Sequence, residues 1–160
     1  MFGNILIWFV IIPVLMMAGL GLCRNSGMKA IRAVMVVGST ALLALAIWLC
    51  VDFLSLRAAG NDAEMLYTGS WMWYSPLNIH LAVGVDGISV LMLMLSAIIV
   101  FAGTFASWKI SPLPKNFFLW FALLSTGVFG FFISIDMFTM FMFYEVALIP
   151  MYLLIGVWGT

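Results

Sequence analysis

Charge is what this sequence of 160 residues has least of: six Lys or Arg and six Asp or Glu, 8% of the chain. A balanced set that sparse excludes a nucleic-acid surface, which needs clustered cations. It also excludes an ordinary soluble domain, in which charged residues make up about a quarter of the chain. Histidine occurs once, as His80. With no Cys or His beside it, it reads as a solvated surface residue and not as a metal ligand. Only Cys23 and Cys50 could form a disulfide. They end consecutive apolar runs, and consecutive membrane helices are antiparallel, so the thiols should lie near opposite bilayer faces. A disulfide allows only ~4.4–6.8 Å between Cα atoms, so these are expected to be packing cysteines. A basic leader is missing too. The opening MFGNILIWFVIIPVLMMAGLGLC has no Lys or Arg before its apolar run and no small-x-small site after it. It therefore fails as a signal peptide, and Leu22 before Cys23 is a poor lipoprotein cleavage site. The run is expected to remain as a first membrane helix.

What is abundant is apolar surface. Hydrophobic residues reach 66% and mean hydropathy is +1.25, which places the chain in a membrane. Trp and Phe suit lipid contact and interfacial belts, and the many Met read as adaptable packing and not as cofactor ligands. The expected fold is an all-α membrane protein, a single membrane domain over 1–160. Five transmembrane helices are expected at 5–23, 33–51, 88–108, 117–135 and 138–158. Pro13 permits a bend in the first. From Phe117 to Trp158 the chain is apolar apart from Asp136 and Glu145. That stretch is too long for one span of about 20 residues, so two helices should meet at a tight turn near Ser134 to Met137. Gly127 and Gly130 suggest close packing against the fifth helix.

The longest polar interval runs from Asp52 to Val85. Its first half, RAAGNDAEMLYTGS, reads as a loop with Gly60-Asn61-Asp62 as turn chemistry. From 71 to 85 the pattern alternates. Trp71, Trp73, Leu77, Ile79, Leu81, Val83 and Val85 fall on one side, Asn78, His80 and Gly84 on the other. Period two predicts an extended β segment on the membrane surface, with its polar edge wet and half a hairpin in reach. Asp86 then precedes the third helix and is expected to cap its free N–H groups. The following loop, Lys109 to Lys115, should be stiffened by Pro112 and Pro114.

Loop charge orients the bundle. The loops at 24–32 and 109–115 carry Arg24, Lys29, Arg32, Lys109 and Lys115 and no acid; the segments at 52–86 and 136 carry the acids Asp52, Asp62, Glu64, Asp86 and Asp136 with Arg57 alone. The positive-inside rule puts the basic loops on the cytoplasmic, matrix or stromal side and the N-terminus outside.

Glu145 is the one charge at membrane depth. It lies near the middle of the fifth apolar run, where a carboxylate costs roughly 2.5–3.5 kcal/mol and normally faces a bundle interior or a water-filled cavity. Pro150 follows at i+5. It cannot bond the carbonyl of Val146, so a kink beside the acid is expected. Phe138, Phe141, Glu145, Leu148, Tyr152 and Gly156 fall within about 60° on a helical wheel, so acid, tyrosine hydroxyl and small residue share a face. The bland alternative is a protonated Glu that only packs. No cation lies within these spans, so Glu145 is neutral at rest or its partner comes from another polypeptide.

The run from Glu145 through Ile149-Pro150-Met151-Tyr152 to Gly159, together with Gly84-Val-Asp-Gly-Ile-Ser89, resembles chain M (chain 4 in organelles) of NADH-quinone oxidoreductase, or respiratory complex I, and its photosynthetic relative. The resemblance covers essentially the whole chain in order. The Glu-x-x-Leu-Ile-Pro-Met-Tyr pattern separates it from sister chains L and N and from multisubunit cation/proton antiporters. It implies an antiporter-like, proton-translocating, non-redox subunit of the membrane arm, partnered by the other arm subunits, among them chains L and N, and by lipid. The implied location is a bacterial inner membrane or the corresponding organellar membrane, as a multi-pass integral protein. NADH, FMN, iron–sulfur clusters and quinone would belong to other subunits, leaving no active site or cofactor here. Glu145 matches the family's essential glutamate, with Pro150, Tyr152 and Asp136 as supporting positions.

Members of that family are about three times longer and carry two inverted repeats with discontinuous helices. The chain should therefore be the N-terminal portion of a longer product or a split subunit completed by another chain. Two other functions compete: a subunit of a gradient-driven cation/proton antiporter, and a structural scaffold whose glutamate only packs. Co-purification with NADH-oxidising subunits discriminates the first of these from complex I.

Overall fold

The computed structural model describes residues 5–22, 28–60, 66–109 and 114–159. Among the described residues there are five helices and one β-hairpin, and the hairpin lies between the second and third helices. In chain order they are α1 (Ile5–Leu22), α2 (Met28–Ala58), β1 (Leu66–Tyr74), β2 (Ile79–Val85), α3 (Gly87–Ala106), α4 (Pro114–Ile133) and α5 (Met137–Trp158). Four of the helices are long and apolar enough to cross a membrane, and α1 is a shorter apolar helix. The all-α membrane architecture expected from hydropathy is present, with the helix boundaries of α1, α3 and α5 within two residues of expectation.

The second helix is longer than its apolar run. Hydropathy marked 33–51, whereas α2 covers 31 residues, Met28–Ala58. At 1.5 Å per residue that is about 46 Å, against about 30 Å of hydrocarbon. Hydropathy measures depth in lipid; the helix goes on where Lys29, Arg32, Asp52 and Arg57 can reach headgroups and water. It stops at Gly60, whose φ of 89° is in the left-handed region that glycine adopts freely. Asn61 and Asp62, and Cys23 likewise, lie outside the described residues.

The polar interval holds a complete antiparallel hairpin and not half of one. β1 pairs with β2 from Leu66 opposite Val85 to Tyr74 opposite Ile79, with irregularities between Leu66 and Gly69 and between Met72 and Tyr74. Leu66 to Ser70, read as loop from their polarity, are strand. A 3-10 turn at Ser75–Leu77 with Asn78 at φ 55° reverses the chain, so the alternation expected to run through Leu77 breaks there and Leu77 is exposed. The polar edge is only partly wet. Gly84 is buried, and a Cβ on it would stand 3.2 Å from Thr68 Cγ2 and 3.4 Å from Ile135 Cγ2. Val83 and Val85 are buried, as their side of the alternation required.

Pro114 is not in a loop. It is the first residue of α4, the position where a missing N–H costs nothing and a fixed φ suits the helix. The core lies among α1 to α4. Leu6, Phe9 and Leu20 of α1 meet Phe118, Ala122 and Phe129 of α4, with the Phe9 and Phe129 rings 5.5 Å apart. Ile31, Met35, Leu42 and Leu49 of α2 and Val90, Leu93 and Ala97 of α3 complete it. α5 packs chiefly on α4 and buries only Thr139 and Pro150 fully. It forms the outer wall of the bundle.

Candidate functional site: the outer face of the fifth helix

α5 is fixed at its start by three groups of contacts. Asp136 caps it, its Oδ2 accepting from the N–H groups of Phe138 (3.1 Å) and Thr139 (3.4 Å). The turn before it, residues 134–136, is docked on the hairpin: the Ile135 N–H donates to the Ala82 carbonyl at 3.2 Å, and Ser134 bridges Val83. The Thr139 hydroxyl then donates to the His80 carbonyl at 3.3 Å. The tight turn expected at 134–137 thus also forms a single isolated β-bridge to the edge of β2. Asp136, counted among the supporting residues of the site, lies nine residues before Glu145, about 14 Å along the axis. Its carboxylate is occupied by the helix N-terminus.

Along its length α5 is pressed on α4 where glycine removes side-chain bulk. Gly127 faces the backbone of Ala147, and the Phe143 ring occupies the space a side chain on Gly130 would need. The expected close approach of the fourth and fifth helices is present. It fixes the rotation of α5. Ala147, Phe143 and the buried Pro150 point at α4, so the opposite stripe points outward. That stripe is Phe138, Phe141, Glu145, Leu148, Tyr152 and Gly156, and every one of the six is exposed.

The structure therefore separates the four expected site residues. Glu145 and Tyr152 share the outer face, seven residues or about two turns apart. Pro150 stands about 140° round the helix from Glu145 and packs against the bundle, with α5 continuing as helix through it. Asp136 is at the end. Glu145 was expected to be buried, yet in this chain it is on an open surface with no hydrogen bond or ion pair among the described residues. The reason is the place of α5 at the edge of the bundle: among the described residues no element packs on its far side.

Elsewhere the structure adds a contact that hydropathy hid. Arg32, in the second turn of α2, donates from Nη2 to the Trp108 carbonyl at 2.9 Å, and its guanidinium carbon lies 4.9 Å from the Trp108 ring. This neutralises the carbonyl end of α3 and joins α2 to α3 at the basic end. Asp86 caps α3 as expected, accepting from the Ser89 N–H at 2.8 Å. That hydrogen bond holds its carboxyl below the ordinary carboxylate value. His80 Nε2 pairs with Asn78 Oδ1 at 3.0 Å on the hairpin surface. Among the described residues no group of three or more His, Cys, Asp or Glu is placed to hold a metal ion.

No protein-family model matches the chain. Curated relatives do. Subunit M of the NADH-quinone oxidoreductase of Pseudomonas aeruginosa is 30% identical over 161 aligned positions, covering 97% of this chain and 31% of that protein. The Escherichia coli subunit of the same name is 34% identical over 162 positions, covering 95% and 30%. Among solved structures, a chain of the membrane-bound sulfane sulfur reductase, an archaeal respiratory membrane complex, superposes with a TM-score of 0.77 at 18% identity. That match covers 98% of this chain and 31% of the other, and shows a common fold. The chain spans about a third of the length of the curated relatives it matches.

Proposed function

Since this chain is a homologue, over almost its whole length, of subunit M (chain 4) of the NADH-quinone oxidoreductases, we propose that it takes part in proton translocation in the membrane arm of such a complex, with Glu145 as the proton-carrying group. The observation that supports the reading is the outer face of α5: a carboxyl near the middle of the helix, in an apolar stripe that also carries a tyrosine two turns on, on a surface the described residues leave open. An unpaired carboxylate there would cost roughly 2.5–3.5 kcal/mol in lipid, so a covering element that supplies a cation is favoured. On this reading the remainder of an antiporter-like fold, from the same product or another chain, packs on that face.

The chemistry follows from charge. A carboxyl away from cations in a low dielectric holds its proton, and a Lys or Arg within about 4–6 Å lowers its pKa by 1–3 units. Making and breaking that pair loads and releases one proton. On this reading Tyr152, two turns away on the same face, extends a water-linked path. NADH oxidation, flavin, iron–sulfur and quinone chemistry are assigned to other subunits of the complex, and chains L and N to its neighbours in the arm.

Glu145→Gln keeps shape and hydrogen bonding and cannot ionise. In assembled complex in sealed vesicles it should leave electron transfer to quinone from an artificial donor system intact and sharply reduce proton pumping. Glu145→Asp should be milder. A wild-type proton-to-electron yield from assembled Glu145→Gln complex would reduce the residue to packing, and a chain that never co-purifies with NADH-oxidising subunits would favour an antiporter.

A further inference from the structure

Thr139 is fully buried, and both its main chain and its side chain are held. The Asp136 carboxylate accepts from its N–H at 3.4 Å, and its hydroxyl donates to the His80 carbonyl at 3.3 Å. One turn earlier the Ile135 N–H donates to the Ala82 carbonyl at 3.2 Å. Carbonyls two residues apart in a strand point the same way, so both donors meet one edge of β2. On α5, Thr139, Phe143, Ala147 and Pro150 fall within about 80°, and Glu145 stands about 160° from the middle of that arc. Whatever turns the buried arc therefore turns the carboxyl. The arc is held differently along its length. At Ala147 the contact is with the bare backbone of Gly127, and the Phe143 ring lies over Gly130. Apolar contacts of this kind are non-directional. They settle which side of α5 faces α4, to within the roll that a smooth glycine surface allows. At Thr139, about 12 Å along the axis from Ala147, a hydrogen bond adds direction, because it weakens steeply as its angle closes. Glu145 lies between these two points.

We infer that Thr139 is a positioning residue for Glu145: its hydroxyl, bonded to the hairpin, sets the roll of α5 and so the place of the carboxyl. This role rests on Glu145 being the proton-carrying group. Leverage sets the size of the effect. Side chains reach about 5–6 Å from a helix axis, so a roll of about 20° moves the carboxyl by about 2 Å. A charge pair acts over about 4–6 Å, and misplacing a reacting group by about 1 Å costs up to about a hundredfold in rate. A small roll is enough to break the pairing. The acceptor is a backbone carbonyl, so the strand carries the contact and the imidazole of His80 does not.

The test compares two variants in assembled complex. Thr139→Val keeps the shape and loses the hydroxyl; Thr139→Ser keeps the hydroxyl and loses a methyl group. In sealed vesicles Thr139→Val should lose roughly half or more of the proton pumping that Glu145→Gln loses, with Thr139→Ser close to wild type. A side chain that only packs would give the reverse order, because Ser leaves a cavity where Val fits. His80→Gln should pump as wild type. Orientation is read separately, whatever Glu145 does. With Cys23 and Cys50 replaced by Ser, Phe131→Cys and Tyr144→Cys report the roll through their oxidative cross-linking rate, since those rings lie 6.3 Å apart across α4 and α5. Adding Thr139→Val should change that rate roughly threefold or more, because disulfide geometry is narrow, and Thr139→Ser should leave it unchanged. An unchanged cross-linking rate with Thr139→Val, wild-type pumping by that variant beside a defective Glu145→Gln, or failure of Thr139→Val to assemble would each overturn the assignment. Wild-type pumping by Glu145→Gln would instead overturn the proton-carrying reading, and the cross-linking rate would still decide what holds α5.

Discussion

A Cβ added to Gly127 would stand 2.6 Å from the Ala147 amide nitrogen and 2.8 Å from its Cα. These are backbone atoms, so no side-chain rotation makes room. Gly127→Ala should push α5 off α4 and cost about 1–3 kcal/mol, the usual range for overpacking. Gly21→Ala in the last turn of α1, with nothing within 4 Å of the added atom, should be neutral. Thermal unfolding of the two variants in detergent compares them, and equal stability would mean the helices are not in contact at Gly127.

Asp86 supplies a pH dependence with a definite sign. Its carboxyl is held below the ordinary value, first by the Ser89 N–H and against the opposing effect of desolvation. The folded pKa is thus below the unfolded one. The stabilisation is complete above the unfolded carboxylate range, around pH 4, and is lost as pH falls through the folded value. Asp86→Asn should keep most of the cap at neutral pH and abolish this acid dependence, whereas Asp86→Ala should cost about 1 kcal/mol throughout. Melting curves between about pH 3 and pH 7 distinguish the three proteins.

Arg32→Lys keeps the charge and loses the fork that serves the Trp108 carbonyl and ring together. Destabilisation of about 1–2 kcal/mol is expected, with a change in tryptophan fluorescence. Lys29→Arg, on an exposed residue one turn earlier, should change neither. An unshifted emission spectrum in Arg32→Lys would mean the guanidinium does not rest on the indole.

Opposite ends of the bundle should face opposite compartments. In a background with Cys23 and Cys50 replaced by Ser, cysteines placed at Lys109 and at Asn78 should react with an impermeant thiol reagent from opposite sides of the membrane. The basic residues at the Lys109 end predict the cytoplasmic side for it. Labelling of both from one side would overturn the topology.

Much of this arrangement was legible in the sequence where lipid imposes a length. The apolar runs located all five helices, the acid–turn pattern at Asp86 and Asp136 marked two helix starts, and Gly127 and Gly130 marked the tightest contact. Three features were not. The ends of α2 carry charge, and a hydropathy window reads charge as loop even when the backbone hydrogen bonds continue. β1 begins in Leu66-Tyr67-Thr68-Gly69-Ser70, where pairing to β2 and not apolar alternation makes the strand. The facing of Glu145 was hidden because α5 is apolar on nearly every side, so its period carries no orientation; the glycines on the neighbouring helix set it.

The bridge between the hairpin and residues 134–139 has a kinetic consequence. Ala82 and His80 receive their last hydrogen-bond donors from Ile135 and Thr139, more than fifty residues later in the chain. At roughly 5–20 residues per second of synthesis, the outer edge of β2 waits several seconds for those donors. During that interval the hairpin is a two-stranded ribbon with both edges open, marginally stable by itself. Insertion of α4 and α5 as a helical pair is therefore the step that covers the β2 edge at His80 to Val83, and nascent chains arrested before Ile135 should expose a β2 edge that protease reaches and completed chains protect.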